Sequence, residues 1–164
     1  MKSVFIKALL FLLIGAPAAH AQKAKHVVLI TIDGLRPEFY LDQVWGMANL
    51  NIMKYAGAYA LGVNSVFPSV TLPAHTSIVT GASPAKHSIY YNAPFSPQRT
   101  SDEWYWYFNA ITSPTLWEAV RDAGMRTASV NWPTTVGAPI DYNVPVMKKP
   151  GVTQLEATIP YCTP

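Results

Sequence analysis

A chain of 164 residues is long enough for one packed domain, and a composition that is half hydrophobic and only 13% charged excludes intrinsic disorder. Twelve Lys and Arg stand against nine Asp and Glu, a formal net charge of +3, which gives no long-range attraction for nucleic acid. Fourteen prolines make short, interrupted elements the expectation, and a single cysteine, Cys162, excludes an internal disulfide.

In chain order, residues 1–21, MKSVFIKALLFLLIGAPAAHA, read as a signal peptide: Lys2 and Lys7 stand ahead of an apolar run from Ala8 to Ile14, and small residues end at Ala19-His20-Ala21. The run is well short of the roughly 18 residues that a spanning helix needs, so no membrane anchor is expected after cleavage. The expected location is periplasmic or secreted, with residues 22–164 as the exported chain. Loss of Lys2 and Lys7 leaves ten basic against nine acidic residues, a net of +1. Cys162, two residues from the end, reads either as a harmless free thiol or as a cysteine whose partner lies elsewhere.

Residues 26–32 are almost continuously apolar and rich in β-branched side chains, the pattern of a strand covered on both faces in a parallel sheet, and the run stops at Asp33-Gly34. Met47, Leu50, Met53 and Lys54 fall at helical spacing, with Gly57 as the terminator. Residues 59–67, YALGVNSVF, read as a second strand, followed at once by SVTLPAHTSIVTG, a short helix with Pro73 near its start and Gly81 at its end. Further on, SPTLWEAVRDAG predicts a helix capped by Ser113, with Pro114 first, Leu116, Trp117 and Val120 buried, and Gly124 closing it. MRTASVNWP is the next strand. Beyond Pro133 no strand or helix pattern is legible, which implies a lid-like excursion or a chain cut before its next element. Strands alternating with helices point to an α/β fold, a mostly parallel sheet with flanking helices.

In such sheets ligands bind beyond the carboxyl ends of the strands, where Asp33 and Thr71 both lie. Asp33 reads as a ligand-facing carboxylate or as half of an Asp-Gly turn. Thr71 reads as a helix cap worth about 1 kcal/mol or as a nucleophile, and its hydroxyl would then need activation by a metal, for which Asp33 is a candidate ligand. The helix start also suits a phosphate or sulfate group.

The stretches LITIDGLRPEF, NSVFPSVTLPAHTSIVTGASPAKHSIYYN and TLWEAVRDAGMRTASVNWP together resemble the nucleotide pyrophosphatase/phosphodiesterase family of the alkaline phosphatase superfamily, over the exported chain up to Pro133. The resemblance implies the N-terminal portion of an alkaline-phosphatase-like core and a two-zinc hydrolase of phosphodiester or pyrophosphate bonds in small molecules such as nucleotides. By it, Asp33 is a zinc ligand, Thr71 the nucleophile and a zinc ligand, and Asn92 the amide that donates to a phosphoryl oxygen. His75 and His87 match no zinc ligand of the family and read as structural, His75 in the short helix and His87 in the loop after it. His26 has no role. Asp141, in PIDYNVP, does not match a ligand either. The family's remaining aspartates and histidines have no counterpart here, so the expectation is a truncated catalytic domain that does not turn over substrate by itself. The rivals are a phosphomonoesterase of the same superfamily and a non-catalytic exported module that captures phosphate at the Thr71 helix. A sulfatase needs a cysteine or serine where Thr71 stands.

Overall fold

The computed structural model describes residues 24–97 and 103–164; the signal-peptide reading and its boundary at residue 21 lie outside them. The chain divides into two units, Met1–Ile32 and Asp33–Pro164. In the first, residues 24–32 form neither helix nor strand and are mostly exposed, Val27 by 85% and Ile30 by 71%. This corrects the first predicted strand. An apolar β-branched run identifies a segment suited to a sheet, but a strand exists only where a neighbour takes its backbone hydrogen bonds.

In the second unit, Asp33-Gly34 forms a turn in which Gly34 has φ +70°, a conformation that glycine adopts without strain. Helices α1 (Pro37–Leu41) and α2 (Ala48–Ala56) follow, with a 3₁₀ turn at Gln43–Trp45 between them. The α2 helix ends at Gly57, as expected. Residues 59–67, the second predicted strand, form no strand and bend at Leu61 and Phe67, with Leu61 and Val63 exposed by 76% and 88%. The correction has the same cause as the first.

Order then rises sharply. Helix α3 (Thr71–Thr80) closes on Gly81, whose φ of +63° lets its N–H reach the Ser77 carbonyl at 2.9 Å. Helix α4 (Pro84–His87) places His87 on a helix rather than in a loop. Helix α5 (Leu116–Asp122) starts two residues later than predicted, because the cap is Thr115 and not Ser113. Thr115 and Glu118 form a capping box, the Thr115 N–H donating to Glu118 Oε2 at 2.8 Å and the Glu118 N–H to Thr115 Oγ1 at 3.5 Å. Trp117 is buried, Val120 half-buried and Leu116 exposed, so α5 turns a narrower face inward than its spacing predicts.

Strands β1 (Ala128–Val130) and β2 (Tyr142–Val144) pair in parallel, Ser129 opposite Asn143. The fold is thus α/β with a parallel sheet and flanking helices, the sheet having two strands among the described residues. Strand β2, helix α6 (Gln154–Thr158) and the 3₁₀ turn Ile159–Tyr161 all fall where no element was legible. The α6 capping box, Thr153 with Glu156, is a Thr-x-x-Glu signal that proline and glycine on either side obscured. The sheet is inverted relative to the usual alternation, with polar Ser129 and Asn143 buried while Val130, Tyr142 and Val144 face outward. Asn143 is held inside by its amide, which donates to the Thr135 carbonyl at 2.7 Å, and by Thr163, whose hydroxyl accepts the Asn143 N–H at 2.6 Å and whose N–H donates to the Asn143 carbonyl at 3.0 Å.

Two apolar clusters hold this unit. Val79 of α3, Trp117 of α5, Trp132, Ala138 and Ile140 form one; Trp106, Val136, Met147 and Ala157 of α6 form the other. The segment after Pro133 therefore supplies core residues to both and is not a lid.

Candidate active site

The site grows from the start of α3. Residue Val70 caps the helix with an extended backbone and no polar side chain, so the first-turn N–H groups must find partners elsewhere. Asn92, twenty residues past Leu72, meets that need: its Oδ1 accepts the Leu72 N–H at 2.9 Å. The Asn92 main chain is fixed in turn, its carbonyl accepting the Tyr105 N–H at 3.0 Å. With Oδ1 committed to the helix, the two Nδ2 donors of Asn92 face away from it, and no described residue accepts from them.

Thr71 is the first helical residue and not the cap. Its hydroxyl donates to Asp33 Oδ2 at 3.0 Å, across 38 residues of sequence. The turn at Asp33-Gly34 and the helix start thus bring a carboxylate, a hydroxyl and a carboxamide together. Among the described residues Asp33 has no cationic partner: nearby Arg36 is paired with Glu38 at 2.6 Å, the one ion pair there.

The histidines are turned to other work. His75 Nδ1 lies 2.7 Å from the Thr71 carbonyl, and its ring packs edge-on against Trp132 with centroids 5.2 Å apart. His87 is fully buried; its Nδ1 accepts the Ile89 N–H at 3.2 Å, so Nε2 carries the proton and donates to Ser77 Oγ at 2.9 Å. Burial pushes the His87 pKa below the ordinary histidine value of 6.5. Asp141 accepts from the Thr127 N–H at 2.7 Å and the Thr127 hydroxyl at 3.1 Å, bonds that hold its carboxyl below the usual carboxylate range. It buttresses the sheet. Trp132 is in the core, while Tyr90 and Tyr91, next to Asn92 in the chain, are exposed.

Asp33 and Thr71 set two oxygen donors side by side, the hard, anionic half of a metal's donor set. Zinc takes three or four protein ligands. No group of three or more His, Cys, Asp or Glu is gathered among the described residues. The pair fits one side of a metal site and does not complete one. Sequence reasoning missed Asn92 as an acceptor and His75 as a donor to Thr71; the second was readable from their four-residue spacing, which stacks side chain over carbonyl on one helix face.

The sequence profile described as type I phosphodiesterase / nucleotide pyrophosphatase matches residues 27–161, past Pro133 and through the segment without legible elements. The chain is 26% identical over 129 residues to ectonucleotide pyrophosphatase/phosphodiesterase family member 1 of Homo sapiens, a match that spans 71% of this chain and 13% of the relative. It is 28% identical over 120 residues to family member 3 of Rattus norvegicus, and 27% identical over 120 residues to the venom phosphodiesterase of Macrovipera lebetinus, each match spanning 65% of this chain and 13% of the relative. The chain thus spans about an eighth of the length of these relatives.

Proposed function

Because the chain belongs to the type I phosphodiesterase / nucleotide pyrophosphatase family, we propose that it carries the nucleophile side of a zinc-dependent site that hydrolyses phosphodiester or pyrophosphate bonds in small molecules such as nucleotides. The observation that carries this reading is the 3.0 Å hydrogen bond between Thr71 Oγ1 and Asp33 Oδ2. A hydroxyl aimed at a carboxylate that has no cationic partner among the described residues offers an oxygen and a charge to one cation. Zinc bound there would favour the ionised form of the hydroxyl. In the proposed reaction the Thr71 hydroxyl would give up its proton to solvent. The Thr71 Oγ1–P bond would form as the bond from phosphorus to the leaving oxygen breaks, that oxygen departing with the electron pair and taking a proton from solvent. Water would then cleave the threonyl ester and return a proton to Thr71. The Nδ2 donors of Asn92, aimed by the Leu72 N–H, suit a phosphoryl oxygen whose charge grows in the transition state.

Two oxygen donors cannot hold two zinc ions, so on this reading other parts of the protein would supply the remaining ligands, and residues 22–164 would be the N-terminal portion of a catalytic domain. Residues 1–21 would direct it to the periplasm or the exterior; among the described residues no helix is long and apolar enough to cross a membrane. The test is hydrolysis of bis(p-nitrophenyl) phosphate with zinc, by this chain and by the product of the reading frame extended downstream. The chain alone should not turn over. In the extended protein Thr71→Ala should lower kcat/KM by about a thousandfold or more and Thr71→Ser should keep part of the activity. Equal activity in the alanine variant excludes Thr71 as nucleophile, and preference for p-nitrophenyl phosphate would move the reading to a monoesterase.

A further inference from the structure

The first turn of a helix is where backbone geometry is loosest, since its N–H groups lack internal partners. Here the usual restraint is missing as well, because Val70 offers no capping side chain. A threonine at that position has a second source of freedom: in helices its χ1 splits between two rotamers. Yet the proposed chemistry needs the Thr71 hydroxyl in one direction, toward Asp33.

We infer that His75 is a positioning residue for Thr71, an imidazole protonated at Nδ1 that fixes the main chain carrying the hydroxyl. This rests on Thr71 being the nucleophile. The Thr71 carbonyl can only accept, so the 2.7 Å contact requires the proton to sit on Nδ1. The helical ladder already directs that carbonyl to the N–H of residue 75, and the ring adds a second donor from the same residue to its other lone pair. His75 is itself held: its ring meets Trp132 edge-on at 5.2 Å, and Trp132 meets Trp117 edge-on at 5.9 Å. A line of rigid rings therefore runs from the apolar core to the peptide unit of Thr71. Asn92 holds the next peptide at the Leu72 N–H. Between them the two side chains fix the main chain at the Thr71 carbonyl and the Leu72 N–H, and with that frame held the bond to Asp33 selects one of the two χ1 rotamers.

Nuclear magnetic resonance on the 164-residue chain tests this without turnover. Long-range ¹⁵N–¹H spectra should show His75 protonated at Nδ1; the Nε2-protonated tautomer overturns the inference. Three-bond couplings from the backbone ¹⁵N and carbonyl ¹³C to Thr71 Cγ2 should report one χ1 rotamer. His75→Leu should average those couplings while the amides of residues 76–80 keep their protection, and His75→Asn, which returns an N–H donor near the Nδ1 position, should restore the single rotamer. Unaveraged couplings in a folded His75→Leu overturn it; if that variant does not fold, the tautomer and the His75→Asn couplings decide. In the extended protein His75→Leu should lower kcat by about tenfold to a hundredfold with KM unchanged, the scale of a small misplacement of a reacting group. Loss of activity in Thr71→Ala bears on the proposed reaction alone, and the couplings bear on the positioning alone.

Discussion

Residues 33–67 and 71–164 belong to one unit but are built differently. The first stretch has two short helices without a buried residue and an irregular segment, residues 59–67, that exposes Leu61, Val63 and Phe67. The second contains both apolar clusters, two capping boxes and the sheet. The candidate site joins them, Thr71 and Asn92 coming from the packed side and Asp33 from the thin side. The lesson is that a hydroxyl and the carboxylate it donates to need not be equally well anchored. In the proposed reaction the hydroxyl would have to keep a fixed direction, whereas a carboxylate that shared a cation would be held partly by that cation.

The largest test of this contrast is Trp132→Ala, which removes the ring joining α3 to its core and should destabilise the unit by about 3–5 kcal/mol in urea unfolding. A loss below about 1 kcal/mol would break the comparison. Acid comes next. His87 is buried neutral with its pKa below 6.5, so its contribution is full above that value, where folded and unfolded chains are both neutral, and is lost as pH falls and the unfolded chain takes the proton first. Melting temperature should therefore decline below about pH 6.5, and His87→Gln should flatten that slope; an unchanged slope would place the acid-sensitive group elsewhere. Thr115→Ala removes one capping box and should cost about 1 kcal/mol, whereas Val63→Ser, at an 88% exposed position of the thin stretch, should change stability by no more than about 0.5 kcal/mol. If the serine costs as much as the alanine, residues 59–67 are packed in solution and the contrast fails.

What could be read in advance follows the range of the force involved. The α2 helix, the Pro73 start and Gly81 end of α3, and the Gly124 end of α5 were legible because proline, glycine and helical spacing act over four residues or fewer. The α5 cap slipped from Ser113 to Thr115 because two hydroxyl residues flank Pro114, and only Thr115 has a glutamate three residues on to close the box. Strand β2 was not legible, since its buried residue is polar and its exposed ones apolar, the reverse of the pattern that period-two reading seeks.

The sequence by itself determined α2, α3 and α5 with their glycine ends, the one-cysteine chemistry and the ordered motifs that identify the family, because each depends on residues close together in the chain. Only the tertiary structure decided that Thr71 turns its hydroxyl to Asp33 rather than capping its own helix, that Asn92 takes over the cap, and that the proline-rich end belongs to the core. Those outcomes depend on which distant group arrives within 3.0 Å of a donor or acceptor, and local spacing carries no record of that arrival.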